Sequence, residues 1–275
     1  MKLGTMQGRL VAPEDERIQS FPIVAWREEF PLAAELELAC IEWIYERFGA
    51  DTNPLASDAG VEEVANLSRA YGVQVESVCA DILMDFPVVG ANQDRRDGAK
   101  QLEWLMGRAA ALGASRMILP FLGGNMARSA EVLERVEPLL REWVQKAAEH
   151  DLELHVETAL PPPLQRRLVR EIPGLRITWD IGNSLQFGYD HAQELEAFGT
   201  AIGSVHVKDA LPLGSSVPLG EGGADFVWCF RRLNELGFEG PLVLQGARVP
   251  SEHPTETTRR YLELVTGWLS SAGEA

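Results

Sequence analysis

The sequence predicts an α/β fold, a single closed (β/α)8 TIM barrel spanning residues 1–275, and three observations predict it. Short β-like runs alternate with amphipathic helical stretches about eight times, along a length that suits one such barrel. The longer connections follow strands, whereas the links from helix back to strand are short. Four segments in the second half, 152–158, 176–182, 203–209 and 241–246, carry Glu157, Asp180, His206 and Gln245 at or near their C-terminal ends. Alternate side chains of a strand point to opposite faces. His155 and Glu157 therefore share a face, as do Thr178 and Asp180, then Ser204, His206 and Lys208, then Val243 and Gln245. The opposite face reads Leu154/Val156, Ile177/Trp179, Val205/Val207 and Leu242/Leu244, apolar throughout. Polar groups inside and apolar groups outside describe the mouth of a parallel barrel. A doubly wound open sheet is disfavoured, because no G-x-G-x-x-G follows the first strand.

The elements follow in order. Residues 2–6 open as a strand, 26–38 read as a helix and 40–45 as the second strand. Asp58 reads as the N-cap of a helix through Tyr71, with Gly72 at its end, ahead of strand 73–80. A long helix over 93–112 stops at Gly113 before strand 116–120, and Ser129 caps the next helix, to about His150. Strand 152–158 follows, then a short helix 164–171 behind Pro161–Pro163, then strand 176–182. Helix 191–198 leads to strand 203–209, helix 225–236 to strand 241–246, and helix 254–269 closes the order. The segments 8–22, 81–92 and 211–224 all follow strands and so belong to the rim. No internal repeat, low-complexity tract or linker divides the chain.

Composition narrows the partners. The net charge is −16, from 41 acidic and 25 basic residues, a field that repels nucleic acid and anionic membranes but not a small anion held by local cations. Cys40, Cys79 and Cys229 lack paired spacing, which predicts reduced, buried thiols rather than a disulfide frame or zinc knuckle. Arg9, Glu14, Asp15, Glu16 and Arg17 interrupt any secretory signal, and no apolar run approaches the roughly 20 residues of a membrane span. The expectation is a cytoplasmic protein, with homo-oligomerisation left open.

Glu157, Asp180, His206 and Gln245 on four consecutive strands make an oxygen-rich, one-nitrogen site suited to Mn²⁺, Mg²⁺, Co²⁺ or Zn²⁺. Such an ion polarises the carbonyl of a hydroxy-ketone, so that a carboxylate can remove the α-proton. Gln7 and Arg9 leave the first strand at the rim, Lys208 projects inward and Arg248 follows the last strand, a set able to grip a phosphate or carboxylate. His155, one layer below Glu157, reads as a hydrogen-bonded core residue.

The chain resembles the sugar phosphate isomerase/epimerase family of xylose-isomerase-like TIM barrels, a superfamily that includes tagatose 3-epimerase, hydroxypyruvate isomerase and endonuclease IV. The motifs are His155-Val156-Glu157-Thr158, Trp179-Asp180-Ile181-Gly182-Asn183 and Val205-His206-Val207-Lys208-Asp209. Leu219-Gly220-Glu221-Gly222 with Asp225-Phe226, and Met6-Gln7-Gly8-Arg9-Leu10 at the start, belong to the same likeness. The resemblance implies Glu157 as ligand and base, and Asp180 and His206 as metal ligands. It places Gln245 where isomerases and epimerases carry a second glutamate that binds metal and moves a proton. An amide lends oxygen to a metal but accepts no proton near neutral pH. A two-base epimerisation then loses a partner unless Glu221, Asp209 or Glu42 replaces it, whereas a one-base shuttle by Glu157 survives, and metal affinity falls with the missing charge. Endonuclease IV chemistry is excluded, because none of the five histidines, His150, His155, His191, His206 and His253, falls near the second and third strands.

The function expected is a metal-assisted isomerase or epimerase of a small sugar or sugar phosphate, acting through an enediolate. Lys208 stabilises the oxyanion, and Gln7, Arg9, Arg248 and Glu221 hold substrate. The rivals are a lyase or dehydratase on the same scaffold, and a non-catalytic sugar-binding barrel.

Overall fold

A computed structural model describes residues 1–14, 17, 19–90 and 92–273; Asp15, Glu16 and Ile18 of the 8–22 segment and Ala91 of the 81–92 segment lie outside them. Eight parallel strands close a barrel: β1 (Lys2–Met6), β2 (Cys40–Ile44), β3 (Gln74–Cys79), β4 (Arg116–Phe121), β5 (Glu153–Thr158), β6 (Arg176–Asp180), β7 (Ile202–Val207) and β8 (Pro241–Leu244). Neighbours in sequence are neighbours in the sheet, and β8 pairs with β1 through Leu242↔Leu3 and Leu244↔Thr5. This is the (β/α)8 TIM barrel that the alternation predicts.

The helices obey their caps. Ser57 Oγ accepts the Gly60 amide at the start of helix Asp58–Tyr71, and Gly72 ends it with φ 70°. Ser129 caps helix Ala130–Ala148, and Asp225 caps helix Phe226–Glu235. Some caps and bounds needed correction: Ser57 rather than Asp58 is the N-cap of helix Asp58–Tyr71, and the strands expected over 203–209 and 241–246 end at Val207 and Leu244. The helix expected over 26–38 covers only Glu29–Glu35, because Pro31 lacks an N–H and is tolerated only in a first turn. The strand expected over 176–182 ends at Asp180, which turns the chain directly into helix Ile181–Phe187 and caps it through the Asn183 amide at 2.8 Å. The loop after β7 adds a small antiparallel ribbon, Asp209–Ala210 against Ser216–Val217.

Inside–outside parity holds strand by strand. Leu154, Val156, Ile177, Trp179, Val205, Val207, Leu242 and Leu244 join the main apolar core, while Met6, Ile44 and Val243 form a separate small cluster. Trp43, Trp143 and Trp179 are wholly buried, and large side chains of this kind each remove about 150–250 Å² from water. His155 is a core residue as expected: its Nδ1 lies 3.3 Å from Thr178 Oγ1 and 3.1 Å from Ser204 Oγ, and the two hydroxyls are 2.7 Å apart. That closed polar layer forms the floor under the strand ends above it. The three cysteines are free and buried. Among the described residues no helix is long and apolar enough to cross a membrane.

Candidate active site

The parallel register brings Asp180 of β6 level with His206 of β7, and Glu157 stands one strand away on β5. All three are buried, and one donor atom from each lies within 4.8 Å of the others. Burial, the largest influence, pushes the Glu157 carboxyl up to about 8; His206 and Lys208 oppose it and Asp180 adds to it. Asn183 Nδ2 donates to Glu157 Oε1 at 2.7 Å and so fixes which oxygen is held.

His206 is clamped from behind. Its Nε2 lies 2.8 Å from Glu42 Oε1, while its Nδ1 is 3.5 Å from Glu157 Oε2. Burial works against the imidazolium, but Glu42 and Glu157 outweigh it and raise His206 to about 9. Glu42 is itself buried and takes a second bond from Ser77 Oγ at 2.8 Å. His206 Nδ1 and Gln245 Oε1 are both buried with no hydrogen-bond partner among the described residues. An imidazole nitrogen left open beside the Glu157 and Asp180 carboxylates is a donor a divalent cation would use, so these three residues fit the ion.

Lys208 closes the other side. Its Nζ reaches Asn183 Oδ1 at 2.6 Å and Asp180 Oδ2 at 3.3 Å. Gly182 permits this approach, since a Cβ there would lie 2.7 Å from Lys208 Cγ.

The amide of Gln19 links three walls of the mouth. Its Oε1 accepts from Arg9 Nη2 at 3.2 Å and Gln245 Nε2 at 3.0 Å, and its Nε2 donates to Asp81 Oδ2 at 3.0 Å. Gln7 is buried, with Oε1 accepting the Ile44 amide at 2.9 Å. Arg248 donates to the carbonyls of Val11, at 3.0 Å, and Gly8, and so braces the first loop. Burial first, then neighbouring Arg248, lowers Arg9 to about 10. Glu221 is exposed on the loop after β7. Asp209, buried, accepts the amides of Ala210, Gly220, Gly222 and Ala224 at 2.9–3.3 Å. The glycine-rich turn around Glu221 is thus filled by the chain's own carboxylate.

Sequence reasoning missed Asn183 and Gln19, and gave no role to Asp81. Asn183 sits inside a quoted motif, and its position three residues past the capping Asp180 was the available signal. Asp81 continues the inward parity of Ser77 and Cys79. Nothing local marks Gln19.

Residues 30–265 match the model of the family described as xylose isomerase-like TIM barrel. Over 267 residues the chain is 27% identical to the L-ribulose-5-phosphate 3-epimerase of Shigella flexneri serotype 5b (strain 8401), covering 90% of this chain and 91% of that one. D-psicose 3-epimerase from Clostridium cellulolyticum H10, solved with D-tagatose, matches with a TM-score of 0.77 at 12% identity, over 98% of this chain and 99% of that one. A xylose isomerase-like TIM barrel protein from Mycobacterium smegmatis, solved with magnesium, matches with a TM-score of 0.71 at 15% identity, over 98% of each chain.

Proposed function

This chain belongs to the xylose isomerase-like TIM barrel family, and from that premise we propose that it epimerises or isomerises a small ketose or ketose phosphate through an enediolate. The observation that carries the reading is the buried cluster of Glu157, Asp180 and His206 at the barrel mouth, with donor atoms within 4.8 Å. Its relative in Shigella flexneri, named for L-ribulose 5-phosphate and inversion at C3, supports the ketose phosphate.

Glu157, Asp180 and His206 Nδ1 would hold a divalent cation, with Gln245 Oε1 as a neutral fourth donor. The ion, when bound, would supply Lewis acidity to a substrate carbonyl. Glu157 accepts the α-proton; its carboxyl, pushed up to about 8 by burial, suits proton transfer near neutral pH. Asn183 orients Glu157 by its 2.7 Å bond, and Glu42 orients His206. Lys208 Nζ, held by Asn183 and Asp180, places positive charge where the oxyanion forms. Arg9, with Gln7 and Arg248 behind it, grips a phosphate at the far end of the substrate, and Glu221 takes a rim hydroxyl.

The test uses purified protein with MnCl2 in D2O, with L-ribulose 5-phosphate and L-ribulose as probes. Exchange at C3 with formation of the epimer, abolished by chelator, is expected, and Glu157→Gln should lower it by at least about 10²-fold. Arg9→Ala should weaken the phosphorylated probe selectively. A wild-type protein that exchanges neither probe would leave the non-catalytic sugar-binding barrel as the better account.

A further inference from the structure

We propose that Asp81 is the acid that serves the second face of the reacting carbon; this rests on the enediolate reading above. Inversion removes a proton from one face of a carbon and returns one to the other, and a carboxylate fixed in a barrel wall reaches one face. Gln245, an amide, serves as neither acid nor base near neutral pH. Asp209 is occupied by four backbone amides, Glu42 by His206 and Ser77, and Glu221 is exposed.

Asp81 differs from all three. It ends the inward series Ser77, Cys79, Asp81, is 5% exposed, and stands at the N-cap of the short helix Ile82–Asp85. An aspartate there ordinarily bonds the helix amides. This one makes no capping bond and instead turns into the mouth, meeting Cys79 Sγ at 3.2 Å and Gln19 Nε2 at 3.0 Å. The Gln19 amide spans Asp81 on one side and the donors Arg9 and Gln245 on the other. A donor, Gln245, and an acid, Asp81, on either side of one amide match a substrate hydroxyl beside the carbon that bears it. A substrate that displaces Gln19 gains the Gln245 amide on one oxygen and Asp81 beside the adjacent carbon, and frees Arg9 for the distant phosphate. Burial raises the Asp81 carboxyl above the ordinary aspartate value, against the bonds from Cys79 and Gln19 that lower it, and displacing Gln19 removes one of those bonds.

Glu157 takes the proton from one face. The C–H electron pair becomes the C=C bond of the enediolate, and the carbonyl π pair moves to oxygen. The C=C pair then takes the proton of protonated Asp81 on the opposite face, the C=O bond reforms, and Asp81 is left as carboxylate with Glu157 protonated. Proton exchange of both with water restores the starting state, and the reverse reaction swaps their roles.

The experiment follows deuterium in D2O for wild type, Asp81→Asn and Asp81→Glu, starting from L-ribulose 5-phosphate and, separately, from its epimer. The expected result for Asp81→Asn is epimer formation reduced at least about 10²-fold, with exchange from the epimer facing Glu157 kept within a few-fold. Asp81→Glu should restore part of the inversion. Wild-type product should carry solvent deuterium from the first turnover, a readout that needs no variant to fold. Inversion that persists in Asp81→Asn, equal loss of exchange and inversion in that variant, or substrate hydrogen retained in the wild-type product would each overturn the proposal and leave the enediolate reading standing. A wild type that exchanges neither epimer would overturn the reading beneath it instead.

Discussion

His206 Nε2 and Glu42 Oε1 lie 2.8 Å apart, joining β7 to β2 inside the barrel, and both side chains are fully buried. The contact spends one imidazole nitrogen on a carboxylate and leaves the other, Nδ1, aimed at the Glu157–Asp180 cluster. An imidazole held in this way has its tautomer and ring angle fixed.

Removing that hold should loosen the cation without touching its donors. Glu42→Ala is expected to weaken Mn²⁺ binding by about 10–100-fold, read by calorimetric titration, while Glu42→Gln, which still accepts from Nε2, should lose less. Unchanged affinity in Glu42→Ala would show that packing alone orients His206.

Cation binding should be proton-linked. The buried Glu157–His206 pair, each group pushed above its ordinary value, holds a proton at pH 7 that the cation must displace. Affinity for Mn²⁺ should therefore rise from pH 6 to pH 9 and then level. Heats measured in buffers of different ionisation enthalpy should reveal proton release at pH 7. A flat profile would contradict it.

Gln245→Glu adds a charged oxygen where the buried Oε1 now has no partner. Cation affinity should rise, roughly tenfold or more, from one added negative charge near the ion. An unchanged or weaker affinity would place Gln245 outside the coordination sphere.

Glu29 links the rim to stability. Its Oε1 accepts the Gly8 amide at 2.6 Å, and burial, opposed by that bond, pushes its carboxyl up to about 8. The folded state thus binds a proton more tightly than the unfolded chain, whose carboxyl has its ordinary value near 4.3. The contribution is complete below that value and is lost as pH rises through about 8. Glu29→Gln cannot ionise, so its melting temperature should fall less between pH 5 and pH 9 than that of wild type. Equal falls would assign the pH dependence to other groups.

The barrel was legible because two periodicities alternate so regularly: the outward Leu154/Val156 and Leu242/Leu244 pairs could only face helices, and their inward partners had to meet. Asp180 and His206 were placed by parity alone. The helix after Asp180 was not legible, since Ile181-Gly182-Asn183 extends an apolar strand pattern, and only the capping geometry of Asp180 breaks it. Gln19 was invisible for a different reason. Its role depends on where a rim loop falls in space, which no local pattern encodes, and the bond from Glu42 to His206 likewise joins strands far apart in sequence.

The four amides gathered on Asp209 have a consequence for the timing of catalysis. A turn rich in glycine after a barrel strand is commonly free to fold around an incoming anion, so that closure and capture occur together. Here the anion is a permanent part of the chain, and Gly222 lies so near it that a Cβ would sit 2.1 Å from Asp209 Oδ1. The turn at this edge of the mouth is therefore held by the chain itself, with no ligand needed to order it. With Asp81 serving the second face as proposed, the moving group lies elsewhere, at Gln19, which stands between Arg9, Asp81 and Gln245 and on that proposal steps aside for the substrate.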